Sequence, residues 1–164
     1  NEAAKDNELN IILAPHYSDD YKIIAEFISL LSPRIAHQKI VSTGILRVQQ
    51  TPYFYDLYAK ASLVLSMRIH SMSPAIGLGI PTIPLVSQSR MSAFLKDAGL
   101  EDLLVDVFDK NAEEKIARLI NFAMNKKQDV KKRLFSSKEK MRNKIRVFNK
   151  MIKIIFNENH FFIS

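Results

Sequence analysis

Along this chain, apolar runs of strand length alternate with stretches whose apolar positions recur at helical spacing. Asn10 to Ala14 (NIILA) predicts a short buried strand, followed by Pro15, His16 and a polar turn. A helix is expected next, capped by Ser18 or Asp19. It carries Tyr21, Ile24, Ala25, Phe27, Ile28 and Leu31 in one stripe and ends at Pro33. Lys39 to Ser42 reads as a second strand that stops near Gly44. Thr51 and Pro52 have the chemistry of a helix start, a cap followed by a first-turn proline, and the inner face would use Phe54, Leu57 and Tyr58.

Ala61 to Ser66 (ASLVLS) predicts a third strand, apolar and β-branched enough to be buried on both faces. A helix from about Arg68 to Leu78 should end at Gly79, and Thr82 to Val86 should form a fourth strand. A helix over Ser92 to Ala98 closes at Gly99, and Leu103 to Val107 reads as a fifth strand. Asn111 is placed to cap a helix through Ile116, Leu119, Ile120 and Phe122, and a long basic helix runs from about Val130 to Phe156. Such alternation predicts an α/β fold, a parallel sheet with helices on both faces. Residues 1–125 are expected to form that domain, with residues 126–164 as a basic helical extension packed on it.

At 164 residues the chain is long enough to bury one substantial core. Its 47% apolar and 25% charged residues are those of a folded protein. Its polar start, without an initiator Met or a signal sequence, reads as the cut end of a longer protein. The absence of cysteine excludes disulfides and thiolate metal sites, and fits a reducing cytoplasm. The net charge of +7 is concentrated at one end. Lys110 to Lys153 carries 15 basic against 4 acidic residues, whereas the rest carries 9 against 13. A basic helical face of this kind is either a solvated surface or a partner for anionic lipid or polyanionic substrate. Nucleic acid is not expected, because Phe122, Phe135 and Phe148 have helical core spacing rather than that of a stacking platform.

Ligands of open α/β sheets sit beyond the carboxyl ends of the strands. Here those positions are Pro15-His16, Thr43-Gly44, Met67 to His70, Ser87 to Arg90 and the turn after Val107. Among them Met67-Arg68-Ile69-His70-Ser71 is the informative one. The free N–H groups at the start of the following helix favour an anion. An arginine there can hold a phosphate or carboxylate through two parallel bonds. His70 adds a group that changes protonation near neutral pH, and Ser71 a further donor. The alternatives are a His70 hydrogen-bonded within the core and an Arg68 paired with an acidic residue. His16, His37 and His160 read first as ordinary polar positions. Metal-ligand spacing, a glycine-rich phosphate loop and a Ser-His-Asp constellation are all absent from the sequence.

The stretch Ala61 to Leu100 resembles the polysaccharide pyruvyl transferases. It has Met67-Arg68-Ile69-His70 after the third strand, then Gly79-Ile80-Pro81, Arg90, Phe94-Leu95 and Gly99-Leu100, in the family's order and spacing. The flanking segments, including Pro15-His16, match more loosely. Arg90 stands where the family usually has Lys, and Gln88 where an acidic residue is common.

The resemblance implies the C-terminal half of a glycosyltransferase-B-like fold, a Rossmann-like domain ending in long basic helices. It implies an enzyme of exopolysaccharide biosynthesis that moves a pyruvyl group from phosphoenolpyruvate onto two sugar hydroxyls as a ketal. Phosphoenolpyruvate is then a donor substrate, and neither a cofactor nor a metal is expected. On this reading Arg68 clamps the donor with the backbone of Ile69 and Ser71. Arg90 neutralises the second anionic group, and His16 contributes to binding. His70 would be the acid/base, acting on the enol, the leaving phosphate or the sugar hydroxyl. The acceptor would be a sugar or lipid-linked oligosaccharide. The location would be cytoplasmic, at the inner face of the membrane if the basic helices touch it. Without the N-terminal half, weak binding and no turnover are expected.

Two other readings remain open. A nucleotide-sugar glycosyltransferase of the same fold would use Asp106 or Asp109 to hold a ribose. A non-catalytic interaction domain would keep the fold and dock through its basic helices.

Overall fold

A computed structural model describes residues 10–42, 51–87 and 89–158. The chain forms two compact units, Asn1–Phe54 and Tyr55–Ser164. The expected segments at Thr43-Gly44, Gln88 and His160 lie outside the described residues.

In the first unit, β1 (Ile11–Leu13) pairs in parallel with β2 (Ile40–Ser42), Ile11 opposite Ile40. Between them lie α1 (Asp20–Ser29) and α2 (Pro33–Lys39). Pro33 does more than end the first helix. It occupies the first position of the second, where its missing N–H costs nothing, and the Ser32 hydroxyl accepts from the Ile35 N–H. The expected side-chain cap on α1 is also replaced. Asp19 makes no cap bond, while Asp20, inside the first turn, accepts from the His16 and Tyr17 N–H groups at 2.8 and 3.0 Å. The apolar stripe of α1 is only partly covered: Ile24 and Ile28 are half-buried, and Tyr21 and Phe27 are exposed.

α3 (Thr51–Lys60) leads into the second unit, where β3 (Val64–Ser66), β4 (Thr82–Val86) and β5 (Val105–Asp106) form a parallel sheet in chain order. The crossovers are α4 (Ile69–Gly77) and α5 (Ser89–Ala98), and α6 (Ala112–Asn125) and α7 (Lys127–Glu158) follow. This is the α/β, Rossmann-like arrangement expected, built on shorter strands. β3 begins at Val64 because its partner begins at Thr82, so Ala61 to Leu63 have no ladder to join. The start of the expected fifth strand instead winds into a 3-10 turn over Glu101–Leu103. β4 is central and almost wholly buried, with α4, α5 and α6 packed against it. β3 departs from the expectation of burial on both faces: Val64 and Ser66 are buried, but Leu65 is 45% exposed.

Two glycines set where the crossovers stop. Gly79 (φ 75°) and Gly99 (φ 70°) adopt the left-handed conformation that side chains with a Cβ resist. After α4, Gly79 N–H donates to Ile76 C=O and Ile80 N–H to Ala75 C=O. After α5, Gly99 N–H donates to Lys96 and Leu100 N–H to Leu95. These paired bonds satisfy the last helix carbonyls and turn the chain back toward the sheet. The core beneath is Met72, Ile76, Ile83, Leu95, Leu100 and Val105, joined by Val130 and Leu134 from α7.

Candidate anion-binding corner

Because β3, β4 and β5 are parallel, their carboxyl ends share one edge of the sheet. Arg68 stands two residues beyond β3 in extended conformation (φ −129°, ψ 138°) as the N-cap of α4. Arg90 is the second residue of α5, just beyond the neighbouring strand β4. The topology thus brings Arg68, Ile69, His70, Ser71 and Arg90 to one edge. His16 belongs to the first unit, where its ring stacks on Phe54 with centroids 4.9 Å apart.

The turn between β3 and α4 is held by hydroxyls. Ser66 Oγ accepts from the Arg68 N–H at 3.2 Å and lies 2.9 Å from the Arg68 C=O. Ser71 Oγ, one turn into the helix, is 3.0 Å from the same carbonyl and 2.5 Å from Ser66 Oγ. That carbonyl also accepts the Ser71 and Met72 N–H groups, the first bonds of the helix. Tyr58 completes the network: its buried phenol is hydrogen-bonded to Ser71, and burial outweighs that bond in pushing its pKa up. Arg68 therefore sits on a backbone clamped on both sides, which would lower the ordering cost of any ligand it met.

Within this corner the residues divide by exposure. Ser71 is buried, and its hydroxyl serves the turn. Arg68 and Ile69 are half-buried, and His70 and Arg90 are exposed. Ile69 and His70 carry the first two N–H groups of α4, which precede the helix's own hydrogen-bond ladder. An anion here would meet backbone donors, the helix dipole and a guanidinium together. Pro74, inside α4, removes the N–H that would have bonded the His70 carbonyl. The structural partners Ser66 and Tyr58 escaped the sequence reading. A serine ending an apolar strand, five residues before a second serine, was the available signal.

A cleft of about 450 Å³ lies at the other end of α4, lined by Gly77 to Ile80 and by α7. Lys138 there donates to the Gly77 carbonyl at 2.9 Å, countering the negative end of the helix. Asp106 and Asp109 are both engaged locally, accepting from Phe108 N–H at 2.9 Å and Asn111 N–H at 3.0 Å. The Asn111 side chain makes no cap bond for α6. No group of three or more His, Asp or Glu among the described residues is arranged to hold a metal ion.

Residues 2–90 match the family model described as polysaccharide pyruvyl transferase, a span from before His16 to Arg90. No curated protein and no solved structure matches the chain.

Proposed function

Since the chain belongs to the polysaccharide pyruvyl transferase family, we propose that it forms the donor side of an enzyme that makes pyruvate ketals from phosphoenolpyruvate. The observation that carries this reading is the hydroxyl-clamped corner, with Arg68 at the start of α4 and Arg90 one strand away. Phosphoenolpyruvate bears a phosphate and a carboxylate, and two guanidiniums beside helix N–H groups suit two anionic groups. Arg68 holds the donor with the Ile69 and His70 N–H groups, since the Ser71 N–H expected to join them is bonded to the Arg68 carbonyl, and Arg90 faces the second charge.

The chemistry balances as follows. The methylene carbon gains a proton and becomes a methyl group. One sugar oxygen bonds to the central carbon, a second displaces phosphate from it, and both hydroxyl protons are released. One of these offsets the proton taken by carbon and the other leaves with phosphate. His70, exposed to solvent beside Arg68, is the group that moves a proton at this centre. The acceptor is a sugar of a cell-surface polysaccharide or its lipid-linked precursor, met on the cytoplasmic side. In the two-halved, glycosyltransferase-B-like arrangement, this chain is the C-terminal half.

The test is calorimetric titration of the full-length protein with phosphoenolpyruvate and with uridine and cytidine nucleotides. Phosphoenolpyruvate should bind, and Arg68→Ala should weaken it by about 10- to 100-fold. Nucleotide binding without phosphoenolpyruvate binding would sink the proposal. His70→Ala should leave donor affinity within a few-fold while slowing phosphate release to an acceptor glycan by about 100-fold or more. Unchanged turnover would remove His70 from its role.

A further inference from the structure

The same face of α7 that buries Val130 and Leu134 and half-buries Met141 continues as Ile145, Phe148, Ile152 and Ile155. Lys144 still reaches the body, bonded to Asp97 of α5 at 3.2 Å. Beyond it, through Phe156, every side chain is exposed except the half-buried Ile152. Phe148 is 61% exposed and Phe156 68%. At 1.5 Å per residue this segment runs about 20 Å past that last ion pair.

Three features indicate what covers it. At 100° per residue, Val147, Met151 and Ile154 add a second apolar row beside the first. The combined arc is about 200°, wider than the seam with which a helix packs on one neighbour. The opposite face carries Arg146, Lys150 and Lys153. From Lys140 to Asn157 there are six basic residues and no acidic one. A helix apolar over about half its circumference and cationic over the rest matches an anionic surface.

We propose that residues 145–156 form an interfacial segment that engages an anionic lipid bilayer, with Phe148, Met151 and Ile155 immersed. A broad apolar face with cations on the polar side is the geometry of such helices. No helix among the described residues is long and apolar enough to cross a membrane, so this contact is one of lying on the surface rather than spanning it. The inference stands independently of the donor-site reading, and it would place the enzyme where a lipid-linked acceptor resides.

This chain contains no tryptophan, so Phe148→Trp supplies a unique fluorescent reporter within it. Vesicles of phosphatidylglycerol and phosphatidylcholine should shift its emission to the blue and sediment the protein, whereas pure phosphatidylcholine should do neither. Replacing Arg146, Lys150 and Lys153 by Ala should weaken binding by roughly 100-fold, at about fivefold for each charge. Phe148→Ser with Met151→Ser should weaken it at least about tenfold. Both sets lie on exposed positions, so circular dichroism and thermal unfolding should remain those of the parent. Absence of vesicle binding overturns the proposal. So does a blue-shifted, dimeric protein without lipid, which would assign the face to a second copy. Binding that is indifferent to the Ser substitutions would reduce the segment to a charge patch and also overturn it.

Discussion

Ser66 Oγ and Ser71 Oγ meet at 2.5 Å across the turn from β3 to α4, with the Arg68 backbone bonded between them. The two hydroxyls tie the last residue of a strand to the first turn of a helix, so the position of Arg68 rests on the Ser66 and Ser71 side chains. Ser66→Ala should cost about 1–2 kcal/mol in urea unfolding, because it leaves the Arg68 N–H and the Ser71 hydroxyl each short of a partner. It should also weaken phosphoenolpyruvate binding, while Ser66→Thr, which keeps the hydroxyl, should restore most of both.

Tyr58 gives the corner a dependence on alkaline pH. Its phenol is pushed above the ordinary 10.0 by burial, with the Ser71 hydrogen bond pulling the other way. The unfolded chain therefore ionises first. The stabilisation from the neutral phenol is complete below about pH 10, and it is lost as pH rises from there through the folded value. Tyr58→Phe should cost about 1 kcal/mol at neutral pH through the lost bond to Ser71. Urea midpoints measured on both proteins should converge above pH 10. A constant gap would show that the phenol is not held neutral.

Asp102 and Arg133 form an ion pair between the turn before β5 and α7. The hydrogen bond from Arg133 is the main reason the Asp102 carboxyl is held below its usual 3.8. Its contribution is present above that value and lost as pH falls through the lower folded one. Both side chains reach solvent, so Arg133→Gln should cost less than about 1 kcal/mol at neutral pH. The difference should fade in acid and in high salt, as followed by thermal unfolding.

Gly79 has no neighbour within 4 Å of where a Cβ would stand, so the cost of Gly79→Ala is one of backbone alone. It should be about 1 kcal/mol, with Gly79→Asn cheaper because Asn tolerates the left-handed region. Gly99→Ala should cost a similar amount. The two terminate different helices, so the double variant should approach the sum in denaturant titration.

How much of this was legible beforehand differs from element to element. β4 was predicted at its observed bounds because Pro81 precedes it and every position is apolar or small. The α4 corner was found because a buried strand giving way to a helix is a local pattern, and Arg68 stands at the change. The resemblance around Arg68 and His70 then suggested a chemistry that the pattern alone does not specify. The lengths of β3 and β5 were misjudged, since a strand extends only as far as its neighbour supplies hydrogen bonds. Asp19 and Asn111 stand at the N-cap positions of α1 and α6 as expected, but neither side chain makes the cap bond. Asp20 and Asp109 accept N–H groups of the adjoining turns instead.

The sequence by itself determined the order of the strands and of the helices other than α2, the stops at Gly79 and Gly99, and the placing of Arg68 and His70 at a helix start. All of these follow from periodicity and from the conformational limits of single residues. Only the tertiary structure decided that Tyr58, Ser66 and Ser71 share one hydroxyl network, that Leu65 remains exposed, and that α7 leaves the body after Lys144. Those outcomes depend on which surfaces approach one another across long stretches of chain. No local pattern carries that information, because burial and hydrogen bonding between distant residues are settled only when the elements pack.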